Sequence, residues 1–349
     1  MSDAPQTGAP SPGFVDKATA FVSKHLTKLI LAVMSLGLLN AYFFGGIPFN
    51  IGVCAAASFL MIYPMFINLK IGDVVEIKDH KGAVALSLFI NFVVSPALAY
   101  ALGRVFLADQ PYMALGLVLL SLIPTSGMTA TWTERSKGNL KVALSIIAVS
   151  LLVVIATLPL VLPLFAGKLL RAGPFFIFQR IALVIVIPLV LGDLTRRWIV
   201  KNKGQAFYKS KKPLFSGLSS TGLLFVLFLI MSLDTNKLLL SNAALVVKGL
   251  VPLVVYYVVM FGTSTLLSRG FPHPVAAAIV FGTSVRYLAL ALGIAVPLLG
   301  SGTNSSLVVL VVALAFFVQV PASSLYSKWL VRHAGPATPA PTGTPAAAA

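Results

Sequence analysis

Charged side chains are scarce in this chain, and acidic ones are the scarcest. Of its 349 residues only 10% are Asp, Glu, Lys or Arg, only 9 are Asp or Glu, and 58% are hydrophobic. A soluble globular domain carries about 25% charged residues. The composition therefore excludes an ordinary soluble enzyme or binding domain and indicates a protein that lies mostly in a lipid bilayer.

Residue types that usually build catalytic or metal centres are also few. The chain has 1 cysteine, which excludes an internal disulfide. Its 4 histidines lie in loops or at the ends of apolar runs, so they form no predicted metal cluster within the membrane. The Walker A pattern of ATP-driven engines does not occur in the sequence. We therefore predict neither an enzyme nor a protein with a bound metal or cofactor.

Long apolar runs are what the chain has in abundance. A membrane-spanning helix needs about 20 apolar residues, and the sequence contains ten runs near that length. They lie near 26–45, 47–69, 83–107, 112–133, 141–167, 175–195, 213–233, 239–267, 272–298 and 305–330. The sequence predicts an all-α membrane protein with ten transmembrane helices.

The basic residues follow the pattern of a membrane topology. Of the 26 Lys and Arg residues, 19 lie in the N-terminal arm and in every second connection thereafter, while the alternate connections hold 4. The densest group is the run Arg196–Lys212. By the positive-inside rule both termini are cytoplasmic, as an even number of spans requires. The net charge of +17 thus reflects topology, and nucleic acid is not a predicted partner.

Two of the apolar runs are interrupted by helix-breaking and polar residues. Segment four contains Pro124-Thr125-Ser126-Gly127, and segment nine contains Gly282-Thr283-Ser284 followed by Arg286. Lipid does not tolerate unpaired backbone groups, so such breaks are expected where they line a cavity. Paired broken helices in the two halves of a chain indicate the binding site of a secondary transporter.

Further landmarks recur in order in the two halves. Pro96 corresponds to Pro252, Thr125-Ser126 to Thr283-Ser284, and Pro163 to Pro321. Five spans per half is an odd number, so the second half enters from the opposite side and the repeats are inverted. We expect a cytoplasmic arm at 1–25, repeats at 26–173 and 174–335, and a disordered Pro- and Ala-rich tail at 336–349.

Arg286 is the most informative single residue. An unpaired charge in mid-membrane costs from about 2.5 to over 10 kcal/mol, so it needs a partner or a function. Its partner is either a substrate carboxylate or oxyanion, which guanidinium binds in a bidentate manner, or Glu134 in a structural pair. Since carboxylates are otherwise absent from the predicted core, the arginine favours an anionic substrate. The candidate substrate-binding residues are Asn91, Thr125, Ser126, Gly127, Thr129, Thr283, Ser284 and Arg286.

Several stretches of residues 50–330 resemble the bile-acid:sodium symporter superfamily, and within it the arsenite-efflux permeases. These stretches are 61–64, 91–96, 128–132, 136–139 and 252–261. The resemblance implies a ten-span fold with a panel and a core domain, and crossing broken helices at segments four and nine.

The chain departs from the pattern of that superfamily at positions that concern substrate and coupling. The resemblance places the cysteine of arsenite permeases at Thr125, and soft coordination of trivalent arsenic is not expected from a hydroxyl. It places the Ser-Asn pair of the sodium symporters at Thr129 and Ala130, and their glutamate at Val280. Sodium and protons both stay open as coupling ions. The candidate ion-coupling residues are Thr129, Thr133, Glu134 and Ser145.

The sequence thus predicts a secondary active transporter of a small organic anion or oxyanion in the cytoplasmic membrane of a bacterium, working by alternating access. One alternative is efflux of arsenite or antimonite. A second alternative is a ligand sensor that keeps a transporter fold without transporting.

Overall fold

The structure is a computed structural model that describes residues 14–48, 51–68, 80–169, 174–232, 243–299 and 303–333. The expected N-terminal arm lies partly, and the expected C-terminal tail wholly, outside these residues. The described chain is helical. Its helices are α1 (Phe14–Phe43), α2 (Ile51–Asn68), α3 (Lys81–Phe89), α4 (Ser95–Phe106), α5 (Pro111–Leu122), α6 (Met128–Arg135), α7 (Leu140–Ala166), α8 (Pro174–Ile181), α9 (Ile187–Met231), α10 (Ala243–Leu267), α11 (His273–Ser284), α12 (Leu288–Leu299) and α13 (Thr303–His333).

Two π-helical turns join neighbouring helices into longer ones. Ile90–Val94 connects α3 to α4, and Ala182–Val186 connects α8 to α9. The first turn precedes Pro96, which has no N–H to continue the α-helical hydrogen bonding. Such turns widen a helix by one residue and often occur at functional sites. The turn at Ile90–Val94 contains Asn91, one of the predicted site residues.

Five of the described helical stretches are long and apolar enough to cross a membrane: Lys81–Phe106, Leu140–Ala166, Ile187–Leu229, Ala244–Leu267 and Ser306–Arg332. This confirms an α-helical membrane protein, whereas the arrangement of ten spans in two repeats stays a prediction. The structure has fewer long apolar helices than the ten predicted spans, in part because segments four and nine are each split into two short helices. Segments six and seven, in contrast, lie in one helical stretch.

That stretch, α9, is interrupted at Gly204. There the backbone adopts φ 84° and ψ 162°, outside the helical region, a conformation that glycine reaches without the strain of a side chain. An uninterrupted helix over Ile187–Leu229 would be about 65 Å long, far more than the hydrocarbon thickness of about 30 Å. The chain instead forms two arms on either side of Gly204, and α2 packs against both.

The two interrupted helices lie at the centre of the buried core. α5 ends at Leu122 because Ile123 is extended (φ −69°, ψ 141°), as the residue before a proline tends to be. α11 ends at Ser284, where Val285 is also extended (φ −95°, ψ 108°). Nearly all residues of α11 from Ala277 onward, and the first residues of α12, are buried. The predicted breaks in segments four and nine are therefore real breaks in buried helices.

Candidate functional site

The two breaks contact each other through their backbones. Thr125 and Arg286 form an isolated antiparallel β-bridge. The Tyr287 N–H donates to the Pro124 carbonyl at 2.9 Å, and the Ser126 N–H donates to the Val285 carbonyl at 3.4 Å. Each break thus supplies partners for backbone groups that the other leaves unpaired, which is what a buried, non-helical segment requires at membrane depth.

Two of the predicted threonines strengthen this crossing. The Thr125 hydroxyl donates to the Val285 carbonyl at 2.9 Å and is 2.5 Å from the Thr129 hydroxyl. Thr129 in turn donates to the Phe281 carbonyl at 3.2 Å. Both side chains are fully buried. Their hydroxyls therefore hold the end of α11 against the start of α6.

Ser126 and Gly127 form the entry to α6. The Ser126 hydroxyl accepts a hydrogen bond from the Met128 N–H at 3.2 Å, and its carbonyl accepts from the Thr129 N–H at 3.0 Å. These contacts satisfy N–H groups at the helix start that have no partner within the helix. The first turn of α6 is thereby fixed directly beside the crossing.

The Arg286 side chain is enclosed in the core, with 1% of its surface exposed. Its Nη1 donates to the Ile123 carbonyl at 3.2 Å, while Nε and Nη2 have no hydrogen-bond partner. These two atoms form one edge of the guanidinium group, the fork that binds a carboxylate or phosphate through two parallel hydrogen bonds. Within the described part of the chain, no carboxylate forms an ion pair with Arg286.

Gln319 on α13 was not predicted from the sequence, yet it fixes the arginine backbone. Its Oε1 accepts from the Arg286 N–H at 2.7 Å and from the Tyr257 hydroxyl at 2.8 Å. Its Nε2 donates to the Arg286 carbonyl at 3.0 Å. The signal in the sequence was a single amide in the apolar run before Pro321. Since polar residues inside spans usually bond to something, that signal could have been used.

Asn91 and the end of α11 form the adjacent part of the site. The Asn91 Nδ2 donates to the Gly282 carbonyl at 3.0 Å, whereas its buried Oδ1 has no partner. The Thr283 hydroxyl is engaged with Ser264 at 2.6 Å and with the Ile279 carbonyl at 2.8 Å. The Ser284 hydroxyl is buried and has no partner. The Ser284 hydroxyl is therefore available to donate to a ligand, whereas Asn91 Oδ1 is available only as an acceptor.

The remaining predicted residues lie outside the crossing. Thr133, near the end of α6, is buried and its hydroxyl has no partner. Ser145 is buried on α7. Glu134 is exposed on α6, and among the described residues it forms no ion pair with Arg286. The structural Arg286–Glu134 pair that the sequence left open is therefore not formed in this structure.

The polar groups that remain unpaired at the crossing decide which ligand chemistry it can support. In the parts of the chain that the structure describes, no group of three His, Cys, Asp or Glu residues could hold a metal ion. What the crossing offers instead is the buried Arg286 guanidinium group with a free two-donor edge, together with the free Ser284 hydroxyl, which can also donate. Such an arrangement can bind a small group with two adjacent, negatively charged oxygens.

Comparisons with known proteins identify transporters and arsenical-resistance proteins as relatives of this chain. Residues 55–241 match the sodium bile acid symporter family. An arsenical-resistance protein of Corynebacterium glutamicum is 28% identical over 307 residues, covering 81% of this chain and 82% of that protein. An arsenical-resistance protein of Alkaliphilus metalliredigens is 26% identical over 332 residues, with 87% and 91% covered. A sodium-dependent transporter of Bacillus subtilis is 23% identical over 237 residues, with 68% and 72% covered.

The family match spans more than half of the chain and confirms the resemblance seen in the sequence motifs. A symporter family consists of transporters, which confirms that the chain is not an enzyme. Together with the long apolar helices, the match identifies a multi-pass membrane protein. This chain belongs to the sodium bile acid symporter family.

Proposed function

We propose that the protein is a secondary active transporter that moves a small organic anion or oxyanion across the cytoplasmic membrane by alternating access. The observation that carries this proposal is the Arg286 side chain, buried with its Nε/Nη2 edge unpaired. Burying a guanidinium group without a counter-charge is costly in a membrane. A substrate that brings the missing negative charge removes that cost whenever it binds.

The described acidic residues supply no such counter-charge. Asp193 accepts hydrogen bonds from Arg196 and Arg197, both at 2.6 Å. Asp109 forms an ion pair with Lys248, and Glu134 is exposed. A cation transporter would be expected to hold a carboxylate at the crossing. The charge balance of the described core therefore favours an anion as substrate.

We assign two roles to the predicted substrate-binding residues. Arg286 and the Ser284 hydroxyl have unused donors and contact the anion, while Asn91 Oδ1, which only accepts, contacts a donor group of the substrate. The second set of residues shapes the crossing. It consists of Thr125, Ser126, Thr129 and Thr283, whose side chains form hydrogen bonds there, and of Gly127, from which the backbone enters α6. The first set determines substrate affinity directly, and the second set keeps the arginine edge in place.

The proposed architecture is ten spans in two inverted five-helix repeats, residues 26–173 and 174–335, with both termini cytoplasmic. The β-bridge between the two breaks supports this arrangement, since it joins one element of each proposed repeat at the proposed site. Alternating access then follows from motion of one subdomain relative to the other around the crossing.

The coupling ion is sodium or the proton. Sodium would use oxygen ligands, for which Thr129, Thr133 and Ser145 are the candidates. Proton coupling would use Glu134, whose exposed position gives it access to water but not to Arg286. We therefore expect Glu134→Gln to remove any pH dependence of transport if Glu134 carries the proton, and to leave it unchanged under sodium coupling.

Efflux of arsenite or antimonite is the second candidate function. Two relatives with more than four-fifths coverage are arsenical-resistance proteins, and this favours it. Thr125 occupies the position that we align with the cysteine of arsenite permeases, so any arsenic binding would have to use oxygen ligands. Resistance to added arsenite on expression of this chain would support this second function over the first.

A thermal-shift screen of the purified protein against small carboxylates and oxyanions tests the proposal. Stabilisation should rise with ligand concentration by mass action and should vanish in Arg286→Gln. Arg286→Lys keeps the charge but loses the fork, and should bind about 10- to 100-fold more weakly, since a hydrogen bond to a charged group contributes about 1.5–3 kcal/mol. The control is Arg269→Gln, because Arg269 is exposed.

Three outcomes would contradict the proposal. Unchanged anion affinity in Arg286→Gln would make the arginine structural. Protection by trivalent arsenic, without any anion hit, would favour the efflux function. Saturable anion binding without uptake into proteoliposomes would instead identify a ligand sensor on a transporter fold.

A further inference from the structure

The run Arg196–Lys212 carries a charge that the proposed transport site does not use. It contains seven Lys and Arg residues and no Asp or Glu. It includes the end of the first arm of α9, the interruption at Gly204 and the start of the second arm. We call residues 196–212 the basic segment. The positive-inside rule explains on which side of the membrane it lies, but not what its charges contact.

The basic segment is held in place by packing against α2. Ile199 before Gly204 and Tyr208 after it form a small buried cluster with Ile67 at the end of α2. The Tyr208 hydroxyl donates to the Ile67 carbonyl at 3.0 Å, and the Asn68 side chain donates to the Lys212 carbonyl at 3.2 Å. The lysines therefore project from an ordered support, so a partner binds them without ordering the backbone first.

Three of these lysines are exposed and have no counter-charge among the residues that the structure describes. Asp193 forms ion pairs with Arg196 and Arg197, and the Lys212 Nζ lies 5.5 Å from the centre of the Tyr208 ring. Lys201, Lys203 and Lys209 are exposed, and no carboxylate of the described residues pairs with them. These three ammonium groups are thus available to an external anion.

The face of α9 that leads to the lysines is apolar and exposed. Ile187, Leu191, Leu194 and Trp198 are 43%, 41%, 56% and 61% exposed, and their spacing puts them on one side of the helix. Lys201, three residues after Trp198, continues the same side. In a membrane protein such a stripe faces lipid tails, and a tryptophan at its end marks the headgroup region. We therefore expect Lys201 to lie at the level of the lipid phosphates.

The second arm also exposes apolar side chains. Phe207, Leu218 and Phe225 are 43%, 39% and 47% exposed and lie near one side of the arm, whereas Lys209, two residues after Phe207, points away from that side. An acidic protein or a nucleic acid would not need exposed aromatic side chains beside the lysines. A lipid presents both parts, an apolar chain for the aromatic rings and a phosphate for the ammonium groups.

We propose that the basic segment is a binding surface for anionic phospholipids, with Lys201, Lys203 and Lys209 on the headgroup phosphates and Trp198 and Phe207 at the boundary with the acyl chains. This proposal does not depend on the transported substrate. Basic residues next to a membrane each attract an anionic surface by an amount equivalent to about fivefold in affinity. Removing all three should therefore weaken binding by at least about tenfold.

The test uses the full-length protein in neutral detergent, titrated with phosphatidylglycerol while thermal stability is recorded. The variant Lys201→Gln/Lys203→Gln/Lys209→Gln should need at least about tenfold more phosphatidylglycerol for half-maximal stabilisation. The matched control Lys141→Gln/Arg269→Gln/Lys328→Gln removes the same charge from three exposed positions elsewhere on the same predicted side of the membrane, and should raise this concentration by a clearly smaller factor than the test variant does. Replacing the three lysines by arginine should preserve binding.

Four results would overturn the proposal. The first is equal phosphatidylglycerol affinity in the two triple-Gln variants. The second is equal stabilisation by zwitterionic phosphatidylcholine. The third is equal stabilisation by inorganic phosphate, which would indicate a site for soluble anions. The fourth is loss of binding to an acidic peptide or to RNA in the test variant with unchanged phosphatidylglycerol affinity, which would assign the segment to a macromolecule.

Discussion

At the scale of single residues, the decisive feature is that the Arg286 side chain and backbone have separate partners. The Nη1 group donates a hydrogen bond to the Ile123 carbonyl, and the Gln319 amide forms hydrogen bonds with both the N–H and the carbonyl of Arg286. The Nε/Nη2 edge is left free. Because the protein fixes the residue through its backbone, the charged edge stays available without the residue being mobile.

Gln319→Leu should uncouple the arginine backbone from α13. The substitution keeps a similar volume but leaves the Arg286 N–H and the Tyr257 hydroxyl without the Gln319 oxygen, while the Arg286 carbonyl keeps the Leu288 N–H at 3.0 Å. Each buried polar group left unpaired costs about 1–3 kcal/mol. We expect a lower melting temperature and, where the variant folds, an anion affinity reduced more than the maximal transport rate.

The control for this prediction is Ser323→Ala, one turn along α13. The Ser323 hydroxyl donates to the Gln319 carbonyl at 2.7 Å, a bond within the helix that leaves the crossing untouched. It should change stability by less than about 1 kcal/mol and leave anion affinity unchanged. Equal effects of both substitutions on affinity would contradict a positioning role for Gln319.

At the scale of helices, close contact between α2 and α9 depends on two glycines of α9. A Cβ added at Gly222 would lie 2.7 Å from the Met61 Cα, and one at Gly192 would lie 2.8 Å from the Phe66 carbonyl carbon. Both neighbours are backbone atoms, which cannot move aside as a side chain can. The two arms of α9 therefore reach α2 only because these positions have no side chain.

Gly222→Ala should separate α2 from α9 and destabilise the protein by about 1–3 kcal/mol, as overpacking of a core does. The matched control is Gly262→Ala on α10, where an added Cβ meets no atom within 4 Å. There we expect no loss, and a gain of up to about 1 kcal/mol from the better helix propensity of alanine. Thermal denaturation in detergent compares the two, and similar melting temperatures would contradict the packing argument.

At the scale of the whole molecule, one ion pair links two parts of the chain that the proposed topology puts on the same side. Asp109, between α4 and α5, pairs with Lys248 near the start of α10. The hydrogen bond from Lys248 is the main reason that the pKa of Asp109 is lowered from its ordinary value. Both residues belong to the predicted external side, so the contact is compatible with ten spans.

Cysteine labelling tests that topology directly. In a Cys54→Ala background, Ala108→Cys should react with a membrane-impermeant maleimide added from outside intact cells. Ser2→Cys, Gln205→Cys and Ala349→Cys should react only after the membrane is made permeable. These expectations follow from the distribution of the basic residues. Labelling of Ala108→Cys and Gln205→Cys from the same side would rule out the proposed ten-span arrangement.

What could be predicted from sequence was local in character. Membrane location follows from apolar runs, and the breaks follow from residues that cannot continue a helix in lipid, such as Pro124. Arg286 could be recognised because a charge among apolar neighbours is costly wherever the chain folds. Helix ends were less predictable: α1 begins at Phe14 rather than near 26, and the π-helical turn around Asn91 has no distinct sequence pattern.

The sequence by itself determined that this is a helical membrane protein with two interrupted helices and an arginine within an apolar run, because composition and helix breakers act over a few residues. Only the tertiary structure decided which groups meet. It pairs Thr125 with Arg286, brings Gln319 to the arginine backbone and leaves Glu134 exposed. Those contacts join residues far apart in the chain, and hydrogen-bond partners at such separations are selected by the packing of whole helices rather than by any local pattern.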